Sequence, residues 1–205
     1  MDILVVIDMQ NDFITDALGT PEAPNIVDSV CGLIRSFDGQ VVYTRDTHFE
    51  DYLNTQEGKK LPVEHCIKGT DGWQICKKVS ECIGEEDLIV DKVTFGAEQL
   101  PNLLRKRMKR EYTADDMAMS AERVKSENSE GSAENNENAV ADMIPEEIHL
   151  AGLCTDICVI SNAMICKAAF PETLIYIHEA CCAGVTPESH RTALDAMRAC
   201  QMEIV

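Results

Sequence analysis

Residues 148–159 read IHLAGLCTDICV, and the stretch ISNAMICKAAF follows directly. A short apolar, β-compatible run passes within a few positions into a segment with helical spacing. That is the strand-to-helix junction from which parallel sheets are built. With Thr155 or Asp156 as N-cap, Cys158 falls in the first helical turn, where free N–H groups and the helix dipole lower the pKa of a thiol. Cys154 sits in the turn itself, where its backbone N–H can point into the same pocket. Two such amides form an oxyanion hole. The pair Cys154 and Cys158 is open to three readings: core filling, a redox or metal pair, or one catalytic thiol beside a bystander.

The same alternation extends over the chain. Apolar runs recur at 3–7 (ILVVI), 41–44 (VVYT), 87–90 (DLIV), 148–152 (IHLAG), 173–177 (TLIYI) and 202–205 (MEIV), with helical candidates at 23–37, 97–110, 155–170 and 187–200. Near-continuous apolar strands separated by helices predict a parallel sheet covered on both faces. The expected fold is α/β, a doubly wound three-layer α/β/α parallel sheet. A chain of 205 residues suffices for a single domain spanning 1–205 and is short for two. Residues 111–142 are rich in Ser, Asn, Glu and Ala. Such a composition buries too little apolar surface to offset its ordering entropy, so an exposed acidic low-complexity insertion is expected there.

Thirty-six acidic against 18 basic residues leave a formal charge of −18. Phosphate backbones and anionic membranes repel such a chain, which argues against nucleic-acid or membrane partners and for a small-molecule ligand, with a homo-oligomer compatible. The opening MDILVVIDMQ has no basic leader region, and its apolar run breaks at Asp8. That is too short for a signal peptide or a membrane span, so a cytoplasmic protein is expected. Ten cysteines without a CxxC pair then read as reduced thiols. Cys31, Cys76, Cys82, Cys166, Cys181, Cys182 and Cys200 are expected to serve as small hydrophobes in helices and core.

In an open parallel sheet, ligands gather outside the carboxyl ends of the strands. Asp8 follows ILVVI, Asp46 and His48 follow VVYTR, Lys92 follows DLIVD, and the two cysteines follow IHLAGL. Each alone has a dull explanation as a turn former or a solvated side chain. Together a thiol, a carboxylate and a lysine at one sheet edge are the parts of a nucleophilic site, in which the base accepts the thiol proton and the cation stabilises the thiolate. A second cluster runs from Asp46 to His65. Asp46 and His48, two apart at a strand end, can begin a chelate that Glu57 and His65 complete, a mixed set suited to zinc, iron or manganese. Glu50, Asp51 and Glu64 are competing carboxylates, and a solvated loop is the competing reading.

These blocks resemble the nicotinamidase branch of the isochorismatase-like cysteine hydrolases, over nearly the whole chain apart from the acidic insertion. VVIDMQNDF (5–13), VDKVTFGA (90–97) and GLCTDICV (152–159) carry the resemblance. It implies the isochorismatase-like hydrolase fold, with Asp8, Lys92 and Cys158 as catalytic residues and Cys158, not Cys154, as nucleophile. It further implies an oxyanion hole from the backbone N–H groups of Cys154 and Cys158, arranged by a cis peptide bond between Leu153 and Cys154. RDTH (45–48) and LPVEHCIKGT (61–70) resemble the family's metal blocks. They imply a divalent ion, zinc before Fe2+ or Mn2+, on Asp46, His48 and His65. Glu57 is the remaining ligand, since Asn54 stands where many members place a histidine. The implied substrate pocket is flanked by Phe13 and Phe95. Pro62 and Gln99 stand where relatives often place aromatic residues, and Trp73 is either a packing residue or a pocket wall.

The resemblance implies a metal-containing cysteine amidohydrolase that converts nicotinamide, or a similar small aromatic carboxamide, to the acid and ammonia through a thioester, in pyridine nucleotide salvage and NAD metabolism. Two other readings stand beside it. One is a superfamily amidase acting on a carbamoyl or ureido group. The other is a non-catalytic metal- or partner-binding protein on the same fold, against which the intact set of Asp8, Lys92 and Cys158 weighs.

Overall fold

The computed structural model describes residues 1–108 and 144–205, so the insertion expected at 111–142 lies outside the described residues. Each of the six apolar runs lies on a strand: β1 (Ile3–Ile7), β2 (Gln40–Asp46), β3 (Leu88–Lys92), β4 (Glu147–Leu153), β5 (Leu174–Ala183) and β6 (Glu203–Ile204). They form one sheet in the order β3-β2-β1-β4-β5-β6, parallel at every pairing. β5 runs on past the apolar TLIYI through polar His178 and Glu179, because its backbone keeps pairing with β4 after a bulge, Gly152 opposite Cys182 and Leu153 opposite Ala183.

The helices are α1 (Asn11–Ile14), α2 (Ala23–Ser36), α3 (Gln56–Lys60), α4 (Lys77–Ser80), α5 (100–108, where the described residues break off), α6 (Ile160–Ala169) and α7 (Pro187–Ala199). Proline in the first turn of both α2 and α7 sits where its missing N–H costs nothing. Alternation along β1 divides the core between the two faces. Leu4 and Val6 pack with Val27, Val30 and Ile34 of α2 and Val79 of α4. Ile3, Val5 and Ile7 pack with Leu100 and Leu104 of α5, Ala163 of α6 and Met197 of α7. The three layers expected from the sequence are therefore present.

The chain steps from β1 outward through β2 and β3, then returns to lay β4 on the other side of β1. At such a reversal the flanking helices lie on opposite faces, and a crevice opens beyond the carboxyl ends of the two central strands. Close approach there depends on Gly152, which has φ of +125° and pairs with Ile7. A Cβ at this position would lie 2.0 Å from the Ile7 carbonyl oxygen. Gly152→Ala is expected to destabilise the fold by roughly 2–5 kcal/mol, overpacking and a left-handed φ acting together. Urea unfolding measures this, and an unchanged midpoint would contradict it. Among the described residues no helix is long and apolar enough to cross a membrane.

Candidate active site

Asp8 is the first residue beyond β1 and Lys92 the last residue of β3. The Asp8 backbone turns to φ +48°, and its Oδ1 accepts a hydrogen bond of 2.7 Å from the Thr44 hydroxyl. The Lys92 Nζ lies 2.7 Å from Asp8 Oδ2, 3.1 Å from Asp46 Oδ1 and 3.5 Å from Cys158 Sγ. All four side chains are buried. Burial works against the Lys92 charge, but Asp8, Cys158 and Asp46 outweigh it and hold the ammonium well above the usual lysine range. Lys92 is thus a fixed cation and cannot serve as the base. Burial raises the Asp8 carboxyl above the ordinary carboxylate range, with Lys92 opposing.

The thiol of Cys158 departs from expectation. Burial, reinforced by the Asp8 charge, pushes it well above the ordinary cysteine range, with Lys92 pulling the other way. The helix N-terminus was expected to lower it. The physical cause is enclosure beside the Asp8 charge, and the helix also begins differently from the expectation. Cys154, not Thr155 or Asp156, is the N-cap, and the first turn, Thr155–Val159, is π-helical. Burial therefore favours the neutral thiol, with the Asp8 carboxylate and the Lys92 ammonium as its ionisable neighbours.

The two cysteines lie on opposite sides of the sheet. Cys154 packs into the α2-side core and Cys158 into the α6-side core, and both are free thiols. Burial, then the nearby Asp156, pushes the Cys154 thiol up to about 12. Its carbonyl accepts from the N–H groups of Ile157 (3.1 Å) and Val159 (3.0 Å), and the Leu153–Cys154 peptide bond is cis. Among the other cysteines, Cys31, Cys76, Cys166, Cys181 and Cys182 are buried as expected. Cys82 is half-buried and packs against the α2-side core, whereas Cys200, at the end of α7, is exposed and does not fill core.

Asp46, His48, Glu57 and His65 bring one potential ligand atom each to within 4.8 Å of all the others. His48 Nε2 is 3.0 Å from Asp46 Oδ2 and 3.7 Å from Glu57 Oε1, and His65 Nε2 is 3.8 Å from both carboxylates. His65 Nδ1 donates to the Val63 carbonyl at 2.8 Å. In the neutral ring that leaves Nε2 bare and aimed into the cluster, the orientation a metal ligand needs. Buried His48 Nε2 makes no hydrogen bond. Two imidazoles and two carboxylates with such a bare nitrogen fit a divalent zinc, iron or manganese ion. Burial works against ionising Asp46, but the adjacent His48 imidazole, 3.0 Å away, and the Lys92 charge hold its carboxyl below the ordinary range. Asp46 touches both clusters, so the cation and the metal ligands are one continuous network.

Local sequence explains how Glu57 arrives there. Thr55 caps α3, accepting from Gly58 N–H at 3.0 Å, and Glu57 stands in the first turn. Asn54 is exposed and outside the cluster, as are the competitors Glu50, Asp51 and Glu64. Four supporting residues escaped the sequence reading. Gln10 clamps Asp46: its Oε1 accepts from Asp46 N–H at 2.7 Å, and its Nε2 donates to the Asp46 carbonyl at 2.9 Å. Asp12 accepts from Cys66 N–H at 2.7 Å, fixing the residue after His65. Thr44 orients Asp8. Tyr52 packs against both imidazoles, with ring centroids 4.6 Å from His48 and 5.0 Å from His65, and donates to the Leu61 carbonyl. The short polar string after β1, DMQND, was the signal for two of them.

A cavity of about 440 Å3 lies over this network, with Cys154, Cys158, Asp46 and His65 in its wall and Phe13 and Phe95 also facing it. Phe13 is buried, edge-on to His65 at 5.6 Å, while Phe95 is largely exposed at the mouth. Pro62 and Gln99 are not in the wall. Neither is Trp73, which donates to the Thr47 hydroxyl at 2.9 Å and carries the Arg45 guanidinium 3.7 Å over its ring. Its role is packing.

Compared with known families, the chain matches the isochorismatase domain over residues 2–111 and 124–205. It is similar to nicotinamidase of Saccharomyces cerevisiae, 28% identical over 123 residues, covering 45% of this chain and 56% of that protein. The chain thus spans about half the length of this curated relative. Two solved structures share the fold over 100% of this chain and 98% of their own. One is a pyrazinamidase of Pyrococcus horikoshii in complex with zinc (TM-score 0.71, 23% identity), the other a nicotinamidase/pyrazinamidase of Bacillus subtilis (0.72, 24%).

Proposed function

This chain belongs to the isochorismatase family, and from that premise we propose that it is a cysteine amidohydrolase cleaving nicotinamide, or a similar small aromatic carboxamide, to the acid and ammonia. The observation that carries the reading is the buried contact of Cys158 Sγ and the Asp8 carboxylate with one ammonium, Lys92, where Cys158 itself lines an aromatic-flanked cavity. Asp8 takes the thiol proton and the sulfur adds to the carboxamide carbon. The oxyanion is held by the backbone N–H groups of Cys154 and Cys158. Asp8 returns the proton to the nitrogen, the C–N bond breaks and ammonia leaves a thioester. Water, giving a proton to Asp8, adds to the thioester and releases the acid, and the proton goes back to sulfur. Phe13 and Phe95 flank the flat ring. A divalent ion on Asp46, His48, Glu57 and His65 would supply a Lewis-acid anchor for a ring nitrogen.

Ammonia release from nicotinamide, pyrazinamide and a set of carbamoyl and ureido compounds tests the reading. Turnover of the aromatic carboxamides is expected. Turnover of carbamoyl compounds alone would transfer the chain to the other amidase reading, and none at all would overturn amidase function. The metal site has its own test. Removing two of its ligands, His48→Ala with Glu57→Ala, is expected to weaken metal binding at least 10–100-fold, since loss of an outer partner alone does that much. Elemental analysis after dialysis reads it, and wild-type metal content in the double variant would remove the site.

A further inference from the structure

The turn that carries both cysteines is tied to a distant part of the chain by two hydrogen bonds. The Thr155 hydroxyl, wholly buried, lies 2.8 Å from His190 Nδ1 in the first turns of α7. The Asp156 Oδ1 accepts from the backbone N–H of Val185 at 3.0 Å, in the loop joining β5 to α7. Neither His190 nor Val185 lines the cavity over Cys158. The far end of each tether is itself fixed. Thr186 and Ser189 form a reciprocal capping box that sets where α7 begins, and Ser189 directly precedes His190. Gly184 leaves no room for a side chain against the His190 backbone, so α7 seats directly on the end of β5. Thr155 stands between the two groups of the site: it follows Cys154, whose N–H the proposed mechanism assigns to the oxyanion, and precedes Cys158 by three residues.

We infer that His190 is a positioning residue for the nucleophile turn: through Thr155 it sets the distance between Cys158 Sγ, the Asp8–Lys92 pair and the oxyanion amides. The inference rests on the amidohydrolase reading above. Its physical basis is that a π-helical turn has poorer backbone geometry than an α-helical one and needs outside contacts to stay in one arrangement. A misplacement of about 1 Å at a reacting centre is worth about 10²-fold in rate. His190 makes no contact with the cavity, so its loss acts on the chemical step and not on substrate affinity.

Steady-state kinetics on nicotinamide with His190→Ala, His190→Asn, Thr155→Val and the His190→Ala/Thr155→Val double variant test this, each checked for a wild-type melting profile. His190→Ala is expected to lower kcat about 10–100-fold with KM unchanged. His190→Asn, whose amide reaches the place of Nδ1, restores it, and the double variant is no worse than either single one. An unchanged kcat in His190→Ala, or losses that multiply in the double variant, would overturn the inference. Iodoacetamide labelling of Cys158, followed by peptide mass spectrometry, separates the two proposals. A wild type without turnover overturns the amidase reading alone. An equal Cys158 labelling rate in wild type and His190→Ala would still overturn the tether, and slower labelling in the variant would uphold it.

Discussion

Cys158→Ala is expected to abolish amide hydrolysis, lowering kcat/KM by at least about 10⁴-fold, the scale on which loss of a covalent nucleophile acts. Cys154→Ala is expected to stay within about threefold of wild type and to cost only about 1 kcal/mol of stability for a small buried side chain. The contrast follows from contacts. Both thiols are pushed up by burial, so neither is a ready-made thiolate, and thiol acidity cannot distinguish them. What distinguishes them is that the Lys92 ammonium lies against Cys158 Sγ, with the Asp8 carboxylate on the same ammonium. In the proposed mechanism Cys154 contributes only a backbone N–H, which alanine retains. Single-turnover thioester trapping on the two variants measures the difference, and activity that survives in Cys158→Ala but disappears in Cys154→Ala would reverse the assignment.

Asp8→Asn is expected to cost at least about 10³-fold in kcat, at the strong end for loss of a general base, because the same group moves the proton in every step. The pH profile gives an independent check. Asp8 must be ionised to accept the thiol proton, and burial raises its pKa above the ordinary 3.8. The acid limb of kcat/KM therefore lies above that value, activity rising with pH as Asp8 ionises. Stability runs the opposite way. A carboxyl with a raised folded pKa favours the fold at low pH, and that contribution is lost as pH rises through the folded value. Lys92 limits the cost: its own pKa is raised, so its stabilisation is complete below the unfolded value of 10.5 and declines only above it. An acid limb at or below 3.8 would contradict the burial of Asp8 as the controlling effect.

The three-layer sheet was legible because six apolar runs and four helical patterns repeat along the chain, and among the described residues each overlaps the element it predicts. The candidate site was legible for a related reason: a parallel sheet delivers the residues after its strands to one edge, so Asp8, Asp46, Lys92 and the two cysteines could be grouped before any distance was known. The supporting residues were not. Gln10 clamps a partner 36 positions away, Asp12 one 54 positions away, and Tyr52 packs at an angle against two imidazoles that flank it in sequence at unequal distances. Such roles have no periodicity, since nothing in a local pattern distinguishes a glutamine that clamps a strand end from one in a turn.

The residues alone thus decided the strand and helix pattern and which chemical groups meet at the carboxyl edge, since side-chain periodicity and chain direction are local properties. The folded structure decided the rest: which face each cysteine joins, which of them meets Lys92, that the first turn after β4 is a π-turn capped by Cys154, and that His190 reaches Thr155. It also reversed the sign of the thiol shift, because desolvation depends on everything packed around a group, and a sequence records only what stands beside it in the chain.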